Sequence, residues 1–174
     1  MRLQSFLLTI ALALLIASCK STSPIITSKN EANKSKLSKN DKRKTAQLID
    51  ELISTASENI GVKYKYAGTS KAGYDCSGLI YTIFKSQDIV LPRNSYEQSK
   101  IGQAINLKKD HAQKGDLIFF TTNSSKQINH VGLVTEVTDH EISFVHSSTS
   151  KGVIISSTKE PYYKRTLIQV NRIF

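Results

Sequence analysis

Tyr74-Asp75-Cys76-Ser77-Gly78-Leu79-Ile80-Tyr81-Thr82-Ile83-Phe84-Lys85-Ser86 is the stretch on which the fold turns. Leu79, Ile80, Ile83 and Phe84 recur at the three-and-four spacing of one helix face, which predicts a helix over Cys76 to Ser86. Asp75 is well typed to cap that helix through its carboxylate. A thiolate at Cys76 would face the positive end of the helix dipole and unpaired backbone N–H groups. Both effects lower a thiol pKa, and the thiolate is the nucleophilic form. The other reading is a buried, inert Cys that merely starts a helix, since free Cys is commonly buried.

Working outward, Ile49, Leu52, Ile53, Ala56 and Ile60 predict an amphipathic helix from Thr45 to Asn59, with Gly61 as a stop. Beyond Pro92 the pattern changes to strands: Ala104–Leu107, Asp116–Thr121, His130–Val137, Glu141–Ser147, Val153–Ser156 and Thr166–Ile173. Helices followed by a run of antiparallel strands is an α+β order, with N-terminal helices packed on a sheet of about five to six strands.

At the N-terminus Arg2 precedes an apolar run from Phe6 to Ile16, too short to span a bilayer, that ends in Ala17 and Ser18 before Cys19. That pattern reads as a secretion signal. Ile16-Ala17-Ser18-Cys19 resembles the lipobox of bacterial lipoproteins, in which the Cys is acylated and becomes the new N-terminus. The expected organisation is a signal peptide over 1–18, a lipidated Cys19 with a flexible basic tether over 19–44, and a folded domain over 45–174. The chain has 174 residues and two Cys, so lipidation of Cys19 would leave Cys76 without a disulfide partner. The formal charge of +10 is uneven: 8 basic against 2 acidic residues lie in Lys20–Lys44, and 15 against 12 in Thr45–Phe174. The basicity belongs to a polar segment beside an anionic membrane or wall, which argues against nucleic acid as the partner.

A nucleophilic Cys needs a base and a group that orients the base, and four His are available. His111 lies in a charged loop and His140 in a polar turn, so both are expected in solvent. His130 opens one strand and His146 closes the next. A hairpin with a three-residue loop pairs Val137 with Glu141 and sets His146 opposite Gly132, diagonal to His130 and on the same sheet face. Gly132 leaves room for an imidazole there, whereas a two-residue loop would place the two His on opposite faces.

Five ordered segments resemble the NlpC/P60 cysteine peptidases, which cleave bacterial cell-wall peptides. They are Tyr64-Lys65-Tyr66-Ala67-Gly68; Asp75-Cys76-Ser77-Gly78-Leu79; Leu91-Pro92-Arg93 with Gln98; Lys114-Gly115-Asp116-Leu117 with Phe119-Phe120; and His130-Val131-Gly132. Three positions depart from the family pattern: Lys63 and Lys114 where Pro is usual, and Ala67 where the first Gly is usual. The resemblance implies a papain-like α+β fold, Cys76 as nucleophile, His130 as base and His146 as orienting residue, with Tyr64, Asp75 and Ser77 as neighbours of the thiol. It implies hydrolysis of amide bonds in peptidoglycan stem or cross-link peptides, no cofactor and no metal. The protein is then expected as a monomer in the bacterial cell envelope, lipid-anchored to the outer membrane and facing the periplasm. Arg93 reads as a structural ion pair as readily as a substrate contact, and stays outside the catalytic set. Two other classes use the same residues: a zinc-dependent hydrolase built on Cys76, His130 and His146, and a catalytically inactive wall-binding lipoprotein.

Overall fold

The computed structural model describes residues 38–174. The expected signal peptide, Cys19 and most of the tether lie outside the described residues. Helix α1 spans Lys39–Ser57 and starts six residues before the expected Thr45. The Ser38 hydroxyl accepts from Asp41 N (3.2 Å) while an Asp41 carboxylate oxygen accepts from Ser38 N (3.3 Å), a reciprocal capping box. Residues 39–44, expected in the tether, are therefore helical; they lack apolar periodicity because their turns stand in solvent.

A short hairpin of β1 (Thr69–Ser70) and β2 (Gly73–Tyr74) leads into α2 (Cys76–Lys85), which matches the predicted helix. After the single-turn α3 (Ser95–Gln98), an antiparallel sheet forms from β3 (Gln103–Ala104), β4 (Leu117–Phe120), β5 (His130–Val137), β6 (Ile142–Ser148), β7 (Gly152–Ser157) and β8 (Leu167–Arg172). Their spatial order is β3-β8-β4-β5-β6-β7. The α+β class and the six strands agree with the sequence reading. The first strand is shorter and lies earlier than Ala104–Leu107, and the last begins at Leu167 because Pro161–Thr166 forms helix α4, with Pro at its start.

Both faces of the sheet are covered. On one face Phe119, Val131, Leu133, Val145 and Val153 meet Leu52, Leu79, Ile80, Ile83 and Phe84 of α1 and α2; on the other Phe120, Val134, Phe144 and Val170 meet Tyr163 of α4. The continuous run Leu117-Ile118-Phe119-Phe120 follows from this burial on two sides. Asp116, buried just before β4, accepts from Arg172 Nε (3.1 Å) and Nη2 (3.0 Å) and from Gln113 N (2.8 Å), which binds the start of β4 to β8. The Gly115-Asp116 block is thus structural: a Cβ on Gly115, whose φ is +85°, would run into Ile49.

The β5–β6 hairpin corrects one detail and keeps the result. Val137 pairs with Ile142 rather than Glu141, so the connection is one residue longer than the three expected. A bulge at Thr135 takes up the extra residue, and Val134↔Phe144 and Leu133↔Val145 restore the inferred register towards the His end.

Candidate active site

Cys76 stands at the first position of α2, held there by the loop before it. Asp75 is the N-cap: its Oδ1 accepts from Gly78 N (2.6 Å) and from Ser77 Oγ (3.2 Å). Arg93 grips the same carboxylate with both arms, Nη1 to Oδ1 at 2.9 Å and Nη2 to Oδ2 at 2.6 Å, and Nη1 also donates to Ser77 Oγ (3.1 Å). The guanidinium therefore acts on the helix cap, the ion-pair reading of Arg93. Gln98 Nε2 donates to Ser77 O (3.1 Å) and Pro92 O (2.8 Å), which ties the Leu91-Pro92-Arg93 segment to the same turn. Gly78 is required by close approach, since a Cβ there would collide with the Gly68 carbonyl. Ser147 Oγ donates to Tyr74 O (2.8 Å) and fastens the hairpin to β6.

The Cys76 Sγ lies 3.9 Å from the carbonyl oxygen of Asn129, the residue immediately before His130. Across the start of β5, His130 Nε2 meets His146 Nδ1 at 2.9 Å, with the rings edge to face. The hairpin thus brings the two imidazoles together on one sheet face, as the sequence register requires. His146 is fully buried, and its second nitrogen, Nε2, meets Ser156 Oγ (3.1 Å) and Tyr163 OH (3.2 Å). Ser156 and Tyr163 are absent from the sequence reading: they come from β7 and α4, and neither carries a local motif. His111 and His140 are exposed, as expected. Tyr64, Asp75, Cys76 and Ser77 line one cavity of about 350 Å³ together with Ala67 and Arg93; His130 lines a second of about 260 Å³ with Ser156 and Tyr163.

Burial sets the protonation of these groups. It pushes the Cys76 thiol up to about 11, the Asp75 carboxylate adding to the rise, while the backbone N–H groups of Ser77, Val131 and Cys76 pull the other way. Burial holds His130 down to about 4 and His146 to about 3, the His130 neighbour lowering His146 further. Burial thus favours the neutral thiol of Cys76 and the neutral imidazoles of His130 and His146. The helix-start N–H groups act in the direction read from the sequence, but burial outweighs them. Burial also raises the Tyr64 and Tyr163 phenols, so both stay protonated at neutral pH.

A zinc centre on Cys76, His130 and His146 has no matching geometry. His146 spends its two ring nitrogens on His130 and on the two hydroxyls. Among the described residues no group of three or more His, Cys, Asp and Glu is placed to hold a metal ion.

The NlpC/P60 family model matches residues 61–172, from just after the first helix to the last strand. The chain belongs to the NlpC/P60 family. It is similar to the murein DD-endopeptidase MepS/murein LD-carboxypeptidase of Escherichia coli strain K12, at 39% identity over 114 residues, which cover 65% of this chain and 56% of that protein. It is 47% identical over 85 residues to a gamma-D-glutamyl-L-lysine dipeptidyl-peptidase of Bacillus cereus, covering 48% of this chain and 25% of that one. The chain therefore spans about half the length of the first relative and a quarter of the second. A crystal structure of an NlpC/P60 family protein from Bacillus cereus superposes with a TM-score of 0.62 at 37% identity, covering 72% of this chain and 40% of that one.

Proposed function

We propose that this NlpC/P60 protein is a cysteine endopeptidase of peptidoglycan, with Cys76 as nucleophile, His130 as base and His146 as the residue that orients the base. The observation that carries the reading is the 2.9 Å contact of His130 Nε2 with His146 Nδ1, at a strand start whose preceding residue, Asn129, has its carbonyl oxygen 3.9 Å from the Sγ of Cys76. That contact occupies Nε2 of His130 and leaves Nδ1 to take the thiol proton. Because thiol and imidazole rest neutral, the proton moves to His130 as sulfur attacks the amide carbonyl. His130, now an imidazolium, protonates the departing amine; water then hydrolyses the thioester with His130 as base, restoring the thiol and releasing a carboxylate. The Cys76 backbone N–H is suited to the oxyanion, an interaction worth roughly 3 kcal/mol in other enzymes.

The substrate class is a stem or cross-link peptide containing D-glutamate and a diamino acid, a reading supported by the activities for which the two relatives are named. An inactive wall-binding role would leave the paired imidazoles, one of them fully buried, without a purpose at the cost of desolvating His146. The lipobox-like Ile16-Ala17-Ser18-Cys19 supports a lipid anchor to the cell envelope, with the Lys-rich segment as spacer and the protein acting as a monomer facing the periplasm.

The test is digestion of purified muropeptides by the full chain, with products identified by mass spectrometry. Cleavage that survives a chelator and stops after thiol alkylation is expected. Intact muropeptides would refute the reading, and cleavage sensitive only to the chelator would replace it with a metal enzyme.

A further inference from the structure

We propose that Ser156 and Tyr163 are positioning residues that hold His146 in its Nε2–H tautomer and, through it, keep His130 in the only tautomer able to act as a base. The proposal rests on the base role given to His130 above.

The three contacts form one chain: Ser156 Oγ and Tyr163 OH on His146 Nε2 (3.1 and 3.2 Å), then His146 Nδ1 on His130 Nε2 (2.9 Å). A neutral imidazole has one N–H and one bare nitrogen, so fixing one end of such a chain fixes every proton along it. If the hydroxyl oxygens accept from His146 Nε2–H, then His146 Nδ1 is bare and accepts from His130 Nε2–H, and His130 Nδ1 is bare and free to take a proton. If a hydroxyl donates to His146 instead, each proton shifts by one place. His130 then presents Nδ1–H towards the thiol and cannot act as a base. The two arrangements use the same heavy-atom distances; the hydroxyls choose between them.

Two features favour the accepting arrangement. First, both oxygens converge on one nitrogen, and a shared N–H reaches two acceptors, whereas one lone pair serves a single donor well. Second, the hydroxyl protons have somewhere else to go. Both residues line the 260 Å³ cavity beside His130, so their hydroxyl protons can point into that space and away from His146. His146 has no such freedom, because its ring is fully buried, packed edge to face on Tyr163 and tilted against Phe144.

The experiment reads the tautomers directly by ¹H–¹⁵N NMR of histidine-labelled full chain and pairs them with kinetics on muropeptides. In the wild type, His146 should carry its proton on Nε2, with His130 Nδ1 bare. Ser156→Val combined with Tyr163→Phe removes both acceptors while keeping the ring and filling the Ser156 site against water. It should move protons to His146 Nδ1 and lower kcat about 10- to 100-fold with KM unchanged, a part of what a general base contributes, because fewer molecules then present His130 with Nδ1 bare. Ser156→Thr, of the same shape as Val but with a hydroxyl, should restore the wild-type tautomer and rate in the Tyr163→Phe background. If the double variant fails to fold, Tyr163→Phe with Ser156 intact carries the test, with a smaller shift in the same direction. A wild-type spectrum with the His146 proton on Nδ1 overturns the proposal, as does an unchanged tautomer and kcat in the double variant. Failure of the wild type to cleave any muropeptide would overturn the peptidase reading instead, and the spectra would still decide the tautomer.

Discussion

At Cys76 the backbone N–H groups of Cys76, Ser77 and Val131 favour the thiolate, while burial and the Asp75 carboxylate oppose it and prevail. The reactivity of the thiol should follow that balance. Its alkylation by iodoacetamide in the full chain should stay slow at neutral pH and rise steeply towards a midpoint of about 11. A rate already at its plateau near pH 7 would mean a resting thiolate. In the proposed mechanism the two His have different tasks: His130 moves a proton twice, and His146 only holds it in place. His130→Ala should cost about 100-fold to 10,000-fold in kcat, the range for loss of a general base. His146→Asn, which keeps a side-chain acceptor for His130 Nε2–H, should retain clearly more activity than His146→Ala. Equal losses in His130→Ala and His146→Asn would leave the contact standing but remove this division of roles.

Among the elements, α2, β5 and β6 were legible because their residues announce themselves: a helical apolar stripe behind Asp75, and two strands bracketed by His. The register that sets His146 opposite Gly132 came out correctly although the turn did not, because the bulge at Thr135 offsets the longer connection. A bulge without a Gly leaves no mark in a sequence. The start of α1 carries no apolar signal in the sequence, because its capping box lies in a segment with no buried side chain. Ser156 and Tyr163 were invisible for a different reason: only the β6–β7 pairing and the fold-back of α4 bring them to His146. The loop before α2 holds an explicit strain. Ala67 has φ +57°, a left-handed conformation that costs a residue with a Cβ on the order of 1 kcal/mol, and it stands where the family pattern has Gly. Ala67→Gly should therefore raise Tm, by roughly 3 °C for a chain of this size. A lower Tm in calorimetry would show that the loop is held by something other than its backbone preference.

For the whole molecule, the charge distribution and the folded part point to separate tasks. The excess of basic over acidic residues is concentrated in Lys20–Lys44, while the described residues build a sheet covered on both faces and a site drawn from α2, β5, β6, β7 and α4. Among the described residues no helix is long and apolar enough to cross a membrane. In the proposed scheme attachment to the envelope rests on Cys19. Cys19→Ala should shift the protein from the membrane fraction to the soluble fraction without changing its rate on soluble muropeptides. Protein that stays with the membrane after this substitution would assign the attachment to the Lys-rich segment. The central claim, that one thiol at a helix start does the bond-making, is tested most directly by the rate of muropeptide hydrolysis in Cys76→Ala. The account predicts a folded protein with the wild-type circular dichroism spectrum and no detectable cleavage; hydrolysis at the wild-type rate would contradict it.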